Sequence, residues 1–165
     1  KGRTDIENSV SGFTVRDFEY PKTEFYKFIN GKRHISKLYN HKNRYNNPRD
    51  IEIFRRLPQG GNSLHPCIAD IMPYTRRNGI FKDKYYKLEE NKICKTITSH
   101  MKYDCNMYIH PWQARGLSPR EAARIQTFPD DYVLTGPQNS WYAQVGNAVP
   151  VKLAKAIGEA IMKFL

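Results

Sequence analysis

The sequence predicts an α+β chain, with a small, irregular β-rich region followed by helices. Three observations carry this. Short β-prone runs separated by turn residues occupy residues 80–109. Ser118-Pro119-Arg120-Glu121 combines a capping box with a proline at the first helical position. Beyond Pro150, apolar residues recur at helical spacing.

Composition sets the bounds. The chain has 165 residues and a mass of 19.3 kDa, the size of one ordinary domain or a piece of a larger one. With 27 Lys and Arg against 16 Asp and Glu, the net charge is +11. The mean hydropathy is −0.72. No run approaches the roughly 18 apolar residues of a membrane span, so a transmembrane reading is excluded. Eleven Tyr and eight Phe argue for a folded core, because disordered chains of this charge are poor in aromatics. Three Cys make no disulfide framework, and the odd number points to a reducing, intracellular setting. The chain begins Lys1-Gly2-Arg3, without Met or an apolar signal segment, and reads as trimmed or as a piece of something longer.

The charge is unevenly spread. Residues 1–50 hold 11 basic and 6 acidic side chains, residues 51–112 hold 10 and 6, and residues 113–165 hold 6 and 4. A basic excess interleaved with Tyr, Asn, Ser and His suits a phosphate backbone, with the neutral polar groups free to reach base edges. A basic surface with no partner has the same composition.

In chain order, Val10 to Tyr20 alternates weakly and predicts a strand, while Pro21 to Asn30 fits a short helix or a strand. Residues 31–50 are polar and Asn-rich and read as a loop or an exposed helix. Ile51 to Leu57 is a short helical or extended run, stopped by Pro58-Gln59-Gly60-Gly61-Asn62. The paired glycines permit positive φ and close approach to another body, or form a plain turn. Strand-like runs follow at Ile80-Phe81, Tyr85 to Leu88, Thr96 to Thr98 and Met107 to Ile109. The capping-box helix then runs to about Gln126 and is ended by Phe128-Pro129-Asp130. A last helix starts near Pro150, its apolar positions being Leu153, Ala156, Ile157, Ala160, Ile161 and Phe164.

The segment Arg115-Gly-Leu-Ser-Pro-Arg-Glu-Ala-Ala-Arg-Ile-Gln-Thr-Phe-Pro-Asp-Asp-Tyr132 closely resembles the ninth motif of the cytosine-5 DNA methyltransferases. Gln144-Val-Gly-Asn-Ala-Val-Pro150 and the following helix resemble the tenth. Arg56-Leu-Pro-Gln-Gly-Gly-Asn62, Thr96-Ile-Thr-Ser99 and Tyr108-Ile-His-Pro111 are similar to framework segments of that family's target recognition domain. Residues 1–50 show no resemblance. The family implies a two-lobed enzyme whose large lobe holds S-adenosyl-L-methionine and a cysteine nucleophile. Its small lobe reads the major groove, and the target cytosine is rotated out of the stack. The thiolate adds to C6 so that C5 becomes nucleophilic enough to take the methyl group.

Most of that chemistry is missing here. The Gly-rich cofactor loop, the Glu-Asn-Val segment and the Pro-Cys-Gln loop are all absent. Pro66-Cys67-Ile68 has the Pro-Cys pair without the Gln and lies just upstream of the ninth motif, so Cys67 is read as a small core residue, as are Cys94 and Cys105. Cys105 stands where the family leads one to expect Gly or Asn. His65, Cys67, Cys94, Cys105 and His110 fit no standard zinc spacing. No catalytic residue and no metal ligand is assigned within the chain.

The resemblance implies the C-terminal part of such an enzyme, with residues 1–112 as the target recognition domain and residues 113–165 as the ninth and tenth motif segment returning to the cofactor lobe. Asn147, Ala148 and Val149 are the cofactor-binding candidates; the bland alternative has Asn147 capping the last helix. The DNA candidates are Arg55, Arg56, Gly60, Gly61, Arg76, Arg77, Lys82, Lys84, Ser99, His100 and Lys102. Arg120 and Arg124, one turn apart with Glu121 beside them, read as internal ion pairs. The implied partners are double-stranded DNA and a catalytic lobe carrying the Pro-Cys-Gln loop, in the same or another polypeptide. The isolated chain is expected to be inactive and, through its last helix, self-associating or poorly soluble. The rival readings are a catalytically inactive DNA-binding or regulatory relative and an RNA methyltransferase relative.

Overall fold

The computed structural model describes residues 12–19, 23–72 and 83–164. The fold is mixed α+β. Its elements are β1 (Gly12–Asp17), α1 (Glu24–Asn30), β2 (Lys37–Lys42), α2 (Pro48–Arg56), two 3-10 turns (Pro66–Ile68 and Ser99–Lys102), α3 (Pro119–Ile125), α4 (Gln138–Asn147) and α5 (Val151–Ile161). They form two compact units.

The first unit comprises the described residues of 43–96 and 103–117. Asn47 starts α2 by accepting the Asp50 amide at 2.9 Å, and Pro48 follows at the first helical position. The inward face of α2 buries Ile53, Phe54 and the adjoining Leu57 against Ile68, Met72, Tyr85 and Ile109. Two polar groups in this core are matched. The Tyr85 hydroxyl donates to Asp50 Oδ1 at 2.8 Å, and the buried Lys87 ammonium donates to the Phe54 carbonyl at 2.9 Å. A cation is well placed at a helix C-terminus, although burial holds the Lys87 pKa below its ordinary value.

The β content of this unit is sparse. Isolated bridges join Asn62 to Tyr86, Lys87 to Ile109 and Ile109 to Gly116. The run Thr96 to Thr98 forms no strand, and Ile80-Phe81 lies outside the described residues. Cys105 is buried, and a Cβ at Gly116 would lie 2.7 Å from the Cys105 Cβ, so the glycine admits the cysteine.

The second unit comprises the described residues of 12–42, 97–102 and 118–164. Strands β1 and β2 pair antiparallel, from Gly12 opposite Lys42 to Asp17 opposite Lys37. The polar stretch expected to be a loop or an exposed helix therefore contains a strand. Its polar side chains have partners far along the chain. Asn40 is buried, and its amide exchanges hydrogen bonds with the Leu134 backbone, at 3.0 Å to the carbonyl and 2.9 Å from the N–H. His41 Nδ1 lies 2.8 Å from the Ser118 hydroxyl.

Helix α1 is capped by Thr23, which accepts from the Tyr26 amide at 3.1 Å. It buries Tyr26, Ile29 and Asn30. The Asn30 amide donates to Asp130 Oδ2 at 3.0 Å and its oxygen accepts the Asp130 N–H at 2.7 Å. Helix α3 carries the expected capping box: Ser118 Oγ accepts the Glu121 N–H at 3.2 Å, and Glu121 accepts the Ser118 N–H at 2.8 Å.

The ion-pair reading of the α3 arginines needs correcting. Arg124 does pair with a carboxylate, that of buried Asp130, at 2.7 Å. Glu121 is spent on the capping box. Arg120 is buried and donates to backbone carbonyls: Tyr39 at 2.8 Å, Pro129 at 3.2 Å and Tyr132. Burial pushes its pKa down to about 10, which still leaves it charged at neutral pH.

Candidate nucleic-acid interface and cofactor-facing segment

In the first unit, the arginines nominated for DNA lie at the end of α2. Arg55 and Arg56 both bond Glu52, Arg56 at 2.9 Å, and Arg56 also reaches Asp70 at 2.9 Å. All four groups are at the surface. Hydrogen bonds from Arg56 and Arg55 hold the Glu52 carboxyl below its ordinary pKa, and Arg56 does the same to Asp70. A phosphate must therefore compete with two carboxylates for Arg56. Surface pairs of this kind exchange at little cost.

The paired glycines follow α2. Gly60 has φ +79°, a backbone position that favours glycine, and its N–H donates to the Lys87 carbonyl at 2.8 Å. Gly61 is buried; a Cβ there would lie 2.9 Å from the Pro58 carbonyl. Both close approaches are to the protein's own chain. Lys84 is half-buried in the same unit. Arg76, Arg77 and Lys82 lie outside the described residues. Of the cysteines, Cys67 Sγ lies 2.9 Å from His65 Nδ1 at the margin of the core, and burial raises the Cys94 thiol to about 11.

In the second unit, Ser99, His100 and Lys102 form the second 3-10 turn, which packs on α4. That approach explains the glycine of the tenth motif. A Cβ on Gly146 would stand 2.8 Å from the Thr98 carbonyl oxygen and 3.2 Å from Ser99 Cα, both backbone atoms. Gly146→Ala is therefore expected to cost about 1–3 kcal/mol by overpacking, read as a lower denaturant midpoint. Ser99 is thus brought beside Gly146, the neighbour of Asn147, whereas the arginines of α2 belong to the other unit.

Asn147 is the last residue of α4, and Ala148 continues in extended backbone at φ −82° and ψ 153°. Asn147 and Val149 are exposed. Asn147 does not cap the last helix: the cap position of α5 is Pro150, with no side-chain cap bond. The first amides of α5 go instead to the end of α3. Val151 N–H donates to the Gln126 carbonyl and Lys152 N–H to the Thr127 hydroxyl, each at 3.0 Å. Thr127 has φ +57°, which marks the sharp turn that serves this purpose. Sequence reading missed both capping groups and the whole of α4. The pair Trp141 and Val145, both buried, was a one-turn signal too short to define a helix.

Helix α5 has no buried residue. Leu153, Ile157 and Ile161 are 52%, 51% and 55% exposed and form one stripe at helical spacing, while Phe164, 90% exposed and expected in the same stripe, lies beyond the helix end. Lys152 sits over the Phe28 ring at 5.0 Å, at the foot of the helix. Among the described residues, no helix is long and apolar enough to cross a membrane.

The family profile of the C-5 cytosine-specific DNA methylases matches residues 5–163. A putative type II methyltransferase of Oceanobacillus iheyensis is 31% identical over 87% of this chain and 36% of its own length. A type II methyltransferase of a Psychrobacter species is 57% identical over 66% of the chain and 32% of its own. A DNA (cytosine-5)-methyltransferase of Arabidopsis thaliana is 49% identical over 62% of the chain and 12% of its own. The chain thus spans about a third of the length of the bacterial relatives it matches. With a profile match over nearly its whole length, the chain belongs to the C-5 cytosine-specific DNA methylase family.

Proposed function

We propose that this chain is the DNA-recognition and lobe-completing part of a cytosine-5 DNA methyltransferase that acts inside the cell, with the reactive cysteine outside the chain. Residues 1–112 serve target recognition and residues 113–165 return to the lobe that binds S-adenosyl-L-methionine, although the described residues of 12–42 and 97–102 belong to the same compact unit as those of 118–164. The observation that carries the reading is α5: an amphipathic helix that buries nothing, in a chain a third as long as its relatives. An isolated helix of this length is marginal in water, so its apolar stripe calls for a covering surface. The missing lobe with its Pro-Cys-Gln loop is that surface.

The Asn147–Val149 junction fits a cofactor-facing role. It is a short break between two helices in which Asn147 and Val149 are exposed. Because Gln126 and Thr127 already take the first α5 amides, contact with the cofactor would fall to the junction's side chains and carbonyls and not to free helix amides. S-adenosyl-L-methionine would supply the methyl group; Asn147, Ala148 and Val149 would help to hold it. Toward double-stranded DNA, Arg55, Arg56, Lys84, His100 and Lys102 position the backbone, with Arg76, Arg77 and Lys82 completing the set. Gly60, Gly61 and Ser99 shape the loops that approach the duplex.

The deciding experiment mixes this chain with a catalytic lobe that carries the Pro-Cys-Gln loop and follows labelled methyl transfer to duplex cytosine. Transfer is expected from the mixture and from neither part alone. Methylation by the isolated chain, or a well-formed complex without transfer, overturns the reading. The DNA component has its own check. Arg55→Ala with Arg56→Ala should flatten the slope of log K against log salt by about 2, one counterion for each phosphate that no longer meets a cation.

A further inference from the structure

The loop before the ninth motif holds a feature that membership of the family leaves unexplained. The bridge between Ile109 and Gly116 closes a short loop over residues 110–115. Its backbone is tied down from several sides. The His110 N–H donates to the Arg115 carbonyl at 2.9 Å, and the Arg115 N–H to the Gln113 carbonyl at 2.8 Å. His110 Nδ1 accepts the amides of Trp112 at 3.1 Å and Gln113 at 3.0 Å. Buried Arg115 braces the base, donating to Gln113 Oε1 at 2.5 Å and to the Gly116 carbonyl at 3.1 Å. Pro111 restricts φ at the turn.

On this braced loop stands Trp112, 68% exposed. The hydrogen bonds that shape the loop use its backbone amide and leave the indole out. Among the described residues, no hydrogen bond or ring contact engages that indole. Of the two tryptophans, Trp112 is thus left to solvent, while Trp141 is only 8% exposed.

A large flat ring on a rigid support loses little freedom on binding, so its contact area converts to affinity. A protein hot spot would sit at the centre of a desolvated patch. Trp112 has the exposed polar Gln113 beside it in the chain, and the chain carries a net charge of +11. That setting matches a stacking platform for a base, where cations draw in the backbone and the ring takes the π-face. We infer that Trp112 stacks against a base that has left the duplex stack, and so positions the opened DNA for the family's reaction. This rests on the reading that the chain binds DNA.

The test uses the 165-residue chain with two duplexes of one length, one fully paired and one with a small internal mismatch loop. Tryptophan emission should be quenched as the mismatched duplex binds, and Trp112→Phe, which leaves only the buried Trp141, should abolish that quenching. Trp112→Ala should weaken binding to the mismatched duplex by about 5- to 150-fold and to the paired duplex by less. The salt slope should not move, because the substitution removes no cation from the phosphate backbone. Binding of both duplexes without quenching, or with equal affinities for wild type and Trp112→Ala, overturns the role of Trp112 and leaves the DNA reading standing. Wild-type protein that binds neither duplex overturns both.

Discussion

Arg120→Met is expected to destabilise the second unit by about 3–5 kcal/mol, the largest loss anticipated for any single change on this chain. The guanidinium is buried and serves the carbonyls of Tyr39, Pro129 and Tyr132, three points drawn from β2 and the turn after α3. Methionine fills similar volume but donates nothing, so three oxygens lose their charged donor. Some of that loss is offset, because the charge no longer has to be taken out of water. Arg120→Lys should fall between the two, since one ammonium cannot reproduce a planar fork. Urea unfolding followed by circular dichroism reads the effect directly. A midpoint within error of wild type for Arg120→Met would show that the carbonyl cradle adds nothing to stability.

The second large effect runs the opposite way, on association and not on folding. Leu153→Asp combined with Ile157→Asp should leave the stability of the chain within about 0.5 kcal/mol, because both side chains are already half in water. Binding to the catalytic lobe should fall by more than about 100-fold. Each buried Leu or Ile contributes about 1.5–3 kcal/mol, and an unpaired carboxylate at the same place adds a desolvation cost. Methyl transfer by the mixture should fall in parallel, and self-association of the isolated chain should disappear in sedimentation. Lobe binding unchanged in the double variant would show that the α5 stripe is not the docking surface.

These two residue sets differ in how far the sequence alone reveals them. The stripe on α5 was legible because its spacing lies within one helix, three or four residues at a time. The same holds for the α3 capping box, where the interacting groups are close neighbours in sequence. The ninth and tenth motifs were equally plain, being contiguous strings. The middle region was read as irregular and β-rich; among the described residues it holds isolated bridges and no continuous strand, so its irregularity was legible and its β-richness was not.

What the sequence could not determine depends on partners far along the chain. Asn40 and His41 make β2 look like a solvated loop until Leu134 and Ser118 are found beside them, Leu134 lying 94 residues away. Arg120 looks like half of an ion pair until the Tyr39 carbonyl, 81 residues back, is seen to receive it. Asn30 and Asp130 meet across 100 residues. Periodicity and capping signals report a side chain's local options, whereas a buried polar group is settled by whichever distant backbone satisfies it. Local pattern therefore determined α3, α5 and the family they build, and tertiary packing alone decided β2, α4 and where the polar residues go.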